Sequence, residues 1–151
     1  MQKRFRTLTV VVLGLLMLQF VLGMILNLFV KLSDTHPGYT GSYEYFSRSG
    51  HSYIWAITNG GGIALWLHAL VGTGLLIGSV ALLVCAIVAH HKRMIWVSSL
   101  GLLGIFGAFG NGLSFLDYNH EFSSFIMAIG FLVAFSSYAI GLTLKIDEPK
   151  K

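Results

Sequence analysis

Apolar residues run along this chain in long blocks separated by short polar breaks. The first block, Leu8 to Val30, is almost uninterrupted, and others cover roughly 61–89, 95–116 and 122–144. A bilayer's hydrocarbon core is crossed by about 20 helical residues. The pattern therefore predicts transmembrane helices over about 9–30, 61–89, 95–116 and 122–144, the second starting with a frayed or interfacial turn. Between the first two lies a polar, aromatic loop, 31–60, in which Pro37-Gly38 signals a turn. Tyr43, Tyr45, Tyr53 and Trp55 suit the headgroup level of a membrane. A loop this long serves as a lid or binding loop, or as an interfacial belt. Its aromatics need an apolar surface, so it is expected to fold over the bundle mouth.

Composition agrees. The 151 residues are 55% hydrophobic and 11% charged, with a mean hydropathy of +0.75. That leaves one membrane domain, 1–151, and no room for a soluble one. The expected fold is all-α: an integral membrane four-helix bundle, antiparallel, with both termini cytoplasmic. The orientation comes from the basic residues. Lys3, Arg4, Arg6, Lys92, Arg93, Lys145, Lys150 and Lys151 fall on one side, and only Lys31 and Arg48 on the other. This places a multi-pass protein in the cell membrane, with 31–60 and the 117–121 turn outside. The pI of about 9.4 reflects that bias and not nucleic-acid binding, because no basic patch is interleaved with exposed aromatics. The basic start imitates a signal peptide. The apolar run is too long for one and no small-residue cleavage site follows, so a retained helix is expected. Cys85 is the only cysteine, which excludes a disulfide within the chain and a C-x-x-C-H haem attachment.

His68 is the one group with a pKa near neutrality well inside a predicted span. Ionisable residues there are expensive and point to function. The segment reads Trp66-Leu-His68-Ala-Leu-Val-Gly72: an imidazole, then one turn later no side chain, as a flat cofactor needs. At 1.5 Å per residue, His68 lies about 10 Å below the outer end of its helix. Met127 has a similar depth in the fourth span. Asn27 and Asn111 come from the outer ends of the first and third, each four residues after a glycine, Gly23 and Gly107. The shared Gly-x-x-x-Asn suggests two helical hairpins of parallel design. Four-helix bundles build cofactor sites from such facing side chains. The alternative is that Asn27, Asn111 and His68 hydrogen-bond one another across helices without any cofactor.

Haem iron accepts His nitrogen and Met sulfur as axial ligands. Haem b between the second and fourth spans would use His68 and Met127, with His120 as the competing second ligand and Gly72 and Gly130 leaving room beside them. Met127 also fits a plain core position, and His120 an interfacial one. His36 and His51 could cap a site from the loop; His90 and His91 sit at the cytoplasmic boundary. Gly101, Gly104, Gly107 and Gly110, with Gly74-x-x-x-Gly78, form small-residue seams that allow close helix packing in lipid. Some of these glycines could instead make room for a porphyrin.

Gln19-Phe-Val-Leu-Gly23, His68-Ala-Leu-Val-Gly72 and Leu103-Gly-Ile-Phe-Gly107-Ala together resemble one half of a heme A synthase. That family is two tandem four-helix bundles with haem ligands on the second and fourth helices of each, near the outer face. The resemblance implies a haem-binding bundle with His68 as the matched ligand. This chain departs from the family pattern in offering Met127 where the family has His. Its loop carries Asp34 and Glu44 but no cysteine pair and no counterpart of the catalytic Glu, and a second bundle requires a second copy of the chain. Synthase activity is therefore not implied.

Three functions follow. One is a small b-type cytochrome-like, haem-binding protein in electron transfer near the outer face. Another is an accessory or assembly subunit held to a larger membrane complex, or to itself as a homodimer, by its glycine seams. The third is a small-molecule carrier, disfavoured because no charged group lines the spans and no helix is broken at midplane.

Overall fold

A computed structural model describes residues 2–30, 44–118 and 121–144. Those residues form five helices and no strand: α1 (Gln2–Phe29), α2 (Tyr45–Ile57), α3 (Ile63–Val88), α4 (Lys92–Tyr118) and α5 (Glu121–Thr143). Four of them are long and apolar enough to cross a bilayer, over Phe5–Phe29, Ile63–Val88, Lys92–Tyr118 and Phe122–Thr143. The expected spans are thus present, with α1 and α4 starting earlier than their apolar runs. Thr9 Oγ1 donates to the Phe5 carbonyl at 2.9 Å, so a polar residue near the start of α1 is absorbed within the helix.

The long loop is corrected in its second half. Residues 45–57 are a helix, because Ser49, Ser52 and Ala56 recur at helical spacing and are buried while Phe46 and Ile54 stay exposed. Such three- and four-residue spacing places them on one face. The turn after α2 carries left-handed backbone at Asn59 (φ 64) and Gly62 (φ 86). The Trp55 ring folds onto this turn, and a Cβ at Gly60 would collide with it. The second span is therefore preceded by a built turn and not by a frayed one. Residues 31–43, including the Pro37-Gly38 signal and His36, lie outside the described residues.

In the bundle α3 packs on α1 and α4, α4 packs most extensively on α5, and α5 closes the ring loosely against α1. α2 rests across α3 and α4. One core cluster runs through the bundle, from Phe5 and Val12 of α1 to Tyr138 of α5. A second, of Ala56, Leu65 and Leu116, lies beneath α2.

The glycines divide by face. A Cβ at Gly104 would lie 2.6 Å from the Gly130 carbonyl oxygen, and one at Gly130 would lie 2.5 Å from that of Gly104. These two are the close crossing of α4 and α5, as small residues permit in lipid. Gly107 and Gly110 meet nothing within 4 Å. Gly104→Leu is accordingly expected to cost about 3 kcal/mol or to prevent assembly. Gly107→Leu should be close to neutral. Thermal unfolding of the two variants in detergent micelles measures the difference, and equal melting temperatures would disprove the crossing.

Candidate functional site

Beneath α2 the helices enclose a cavity of about 450 Å³. That lies within the range of small-molecule sites, about 300–1,000 Å³. Its wall is mostly apolar, with Phe109, Phe115, Phe125 and Phe131 among the lining residues. The polar exceptions are Gln19 and Asn27 of α1, Tyr53 of α2, His68 of α3 and Ser124 of α5.

His68 faces α1. The Gln19 amide nitrogen donates to His68 Nε2 across 3.1 Å. The pairing rests on two glycines. A Cβ at Gly23 would stand 3.3 Å from His68 Cε1, and a Cβ at Gly72 would stand 3.1 Å from the Gln19 amide nitrogen. Gln19 and Gly23 are one turn apart on α1, as His68 and Gly72 are on α3, so each helix offers a polar side chain and a notch for the other's.

This interlock is incompletely satisfied. Among the described residues, His68 Nδ1 and Gln19 Oε1 are buried without a hydrogen-bond partner. With Nε2 accepting, Nδ1 carries a proton, so the surplus is one donor and one acceptor. Exchanging the amide's nitrogen and oxygen reverses which residue supplies which, but the surplus is the same. Each unmade bond costs about 1–3 kcal/mol in a buried setting.

The helix over the cavity is pinned by Asp117. Its carboxylate is 1% exposed and accepts from Ser49 Oγ at 2.6 Å and Ser52 Oγ at 2.7 Å. Tyr53, which lines the cavity, shares a hydrogen bond of 2.7 Å with Thr73 of α3 and meets the Phe109 ring edge-on at 5.9 Å. Arg48 lies 5.1 Å from the centre of the Tyr118 ring, a further tie between α2 and α4.

The sequence-derived candidates separate. His68, Gly72, Asn27 and Met127 line the one cavity. The Met127 sulfur packs 3.4 Å from where a Cβ at Gly112 would be. Asn111 is not among the lining residues; its Nδ2 donates to the Gly107 carbonyl of its own helix at 2.9 Å. The hydrogen-bonded set of Asn27, Asn111 and His68 is thus replaced by Gln19 with His68. Gly130 faces α4 at the crossing and does not border the cavity. Gly72 does border it, but the space beside Gly72 is taken by Gln19. His120 lies outside the described residues. His51 is exposed on α2, its ring Nδ1 2.7 Å from the Ser47 carbonyl. Among the described residues no group of three or more His, Cys, Asp or Glu side chains gathers as a metal site would need.

Gln19 and Asp117 went unassigned at the level of sequence, though both carry a signal. Gln19 is a polar side chain in an otherwise apolar span, where lone polar groups demand partners, and Asp117 is an acidic residue directly after the apolar run that ends at 116. Gln19-x-x-x-Gly23 also repeats the spacing of His68-x-x-x-Gly72. Neither a protein-family model, nor a curated protein, nor a solved structure matches this chain.

Proposed function

We infer that the protein is an intramembrane binding protein whose chamber takes a lipophilic small molecule, with His68 and Gln19 as its polar anchor. The observation that carries this is a mostly apolar cavity whose wall includes the hydrogen-bonded pair of Gln19 and His68. Ligand sites are mostly apolar, with a few placed polar groups that fix orientation. In this reading the bundle is antiparallel and both termini are cytoplasmic, since the basic residues gather at the end away from α2. The chamber then opens within the outer leaflet. The test is an organic extract of the purified protein, analysed by mass spectrometry. A lipophile is expected to co-purify with the native chain and to be lost from His68→Leu. Extracts of native and variant protein that differ in no component would overturn the reading and leave an accessory subunit of a larger complex.

Haem b is a second reading, favoured by His68 and Met127 lining the same cavity from α3 and α5. His68 would hold the iron through Nε2, which requires the Gln19 amide to swing off that nitrogen. Nδ1 is set against Gly23, its distance from a Cβ there being 3.8 Å. A haem held this way supplies one-electron chemistry, and a Met ligand raises its potential. Protein expressed with ample haem should then show a Soret band that His68→Ala abolishes. Met127→Ala should keep the band and lower the potential. A colourless preparation removes this reading.

A further inference from the structure

The cavity residues that are also exposed belong to two helices only: Phe20, Met24 and Asn27 of α1, and Phe125 and Ala128 of α5. Lining residues from α2, α3 and α4 are buried or half-buried. The chamber therefore has a side window at the seam where α5 closes most loosely on α1. Its depth in the bilayer follows from the spans. Asn27 lies two residues before the end of its span at Phe29, and Ser124 two after the start of its span at Phe122, about 3 Å in at 1.5 Å per residue. Phe20 and Phe131 each lie nine residues from those same ends, about 14 Å in. Their rings stack with centres 5.0 Å apart and form the sill of the window. The hydrocarbon of one leaflet is about 15 Å deep, so the window runs from the headgroup edge to the midplane, along the length of an acyl chain.

The polar groups at the mouth differ from those inside. Gln19, His68 and Tyr53 are hydrogen-bonded to other side chains. Among the described residues no side-chain hydrogen bond holds Asn27 or Ser124, which line the chamber from the two helices that frame the window. At the edge of the hydrocarbon their amide and hydroxyl are donors that need an acceptor. No charged side chain lines the chamber among the described residues, so the acceptor is neutral; a carboxylate would be buried there without a counter-charge. The rim must also supply the hold, because a tail gains little on leaving lipid for an equally apolar wall. The Gln19–His68 bond is already made, so a tail that passes it strands no polar group.

Resting on the binding reading above, we propose that the chamber takes the acyl chain of an ester-linked bilayer lipid, which enters sideways between α1 and α5 while its ester carbonyl accepts from Asn27 or Ser124 at the rim. The ester joins headgroup to tail, so with the carbonyl at the rim the tail lies along the window. In the orientation above, the lipid comes from the outer leaflet. The rim is then a second polar station, at the mouth of the chamber, besides the deep one of Gln19 and His68.

The test uses the full chain in lipid nanodiscs doped with one of three probes, each carrying a photoreactive diazirine in the lower half of its tail: a diacyl phosphatidylcholine, its ether-linked analogue, and the free fatty acid. Labelled positions are mapped by peptide mass spectrometry. Leu75 of α3 and Ile105 of α4 line the chamber and are 2% and 5% exposed, so lipid around the bundle does not reach them. Leu70 and Phe106, exposed on the same two helices, are the reference for ordinary lipid contact. The ester probe should label Leu75 or Ile105, and the ether analogue should do so about fivefold less, the worth of one net hydrogen bond. Asn27→Leu combined with Ser124→Ala should lower ester labelling to the ether level and leave the helical circular dichroism unchanged. Ala128→Trp, which narrows the window, should lower chamber labelling by every probe and leave Leu70 and Phe106 labelled as before. Equal chamber labelling by ester and ether overturns the carbonyl assignment, and strongest labelling by the fatty acid transfers the rim to a carboxylate and overturns it too. Unchanged chamber labelling in Ala128→Trp overturns entry between α1 and α5. Chamber residues left unlabelled by all three probes overturn the whole proposal. It then falls alone if the native extract still carries a lipophile that His68→Leu loses, and together with the binding reading if the two extracts are the same.

Discussion

Asp117→Ala is expected to lower stability by about 3 kcal/mol and to release α2 from the bundle. The carboxylate takes two hydroxyl hydrogen bonds from α2, of 2.6 and 2.7 Å. Hydrogen bonds to charged groups contribute about 1.5–3 kcal/mol each. The substitution also strands Ser49 and Ser52, which are 6% and 0% exposed. Other ties include the Tyr53–Thr73 and Tyr45–Ser114 hydrogen bonds, the Arg48–Tyr118 and Tyr53–Phe109 contacts and the packing of Ala56 with Leu65 and Leu116. With the carboxylate gone, α2 should lift as a unit. Limited proteolysis should then cut within residues 44–62, where the native chain is expected to resist. The triple variant Asp117→Ala, Ser49→Ala, Ser52→Ala should cost less than the sum of its parts, because no stranded hydroxyl remains. Native protease resistance and an unchanged melting temperature in Asp117→Ala would show that α2 is held by something else.

That latch marks where reading the sequence stopped. The four spans were legible because a bilayer imposes a length on apolar helices, and few other constraints produce such blocks. α2 was not, because its stretch is rich in Ser and Tyr and sits among turn residues. Its period shows only once Ser49, Ser52 and Ala56 are recognised as a buried face, and serines become a buried face only when a partner such as Asp117 is supplied. The partner lies 65 or more positions away, out of reach of any local pattern.

The site was half legible for a related reason. Depth along a helix follows from counting residues, and His68, Asn27 and Met127 do share one cavity. Rotation about the helix axis does not follow from counting when a helix is apolar all round. Gly130 and Met127 are three residues apart, yet Gly130 serves the α4–α5 crossing and Met127 the chamber. Asn111 repeats the Gly-x-x-x-Asn spacing of Asn27 but donates its Nδ2 within α4, as a short side chain with a donor can do in a helix. Gly72, read as space beside a ligand, is space for Gln19.

The interlock between α1 and α3 yields the second large effect. Gly23→Leu and Gly72→Leu are each expected to destabilise the bundle by about 1–3 kcal/mol through overpacking. Each also breaks the Gln19–His68 hydrogen bond, from opposite sides. At Gly23 the new side chain needs the space of the imidazole, 3.3 Å from the Cβ position; at Gly72 it needs that of the amide, 3.1 Å away. Once the first substitution has parted Gln19 from His68, the second has less to break. The double variant should therefore fall short of the sum by about 1 kcal/mol, within the range for residues in one network. Gly14→Leu and Gly74→Leu are the matched controls, one on each helix, since a Cβ at either meets nothing within 4 Å. Both should unfold at or above the native temperature, because leucine favours a helix over glycine by up to about 1 kcal/mol. Strict additivity of Gly23→Leu and Gly72→Leu in a thermal or denaturant cycle would mean that the two notches act independently. Gln19 and His68 would then be neighbours without being a unit, and the anchor of the chamber would reduce to His68 alone.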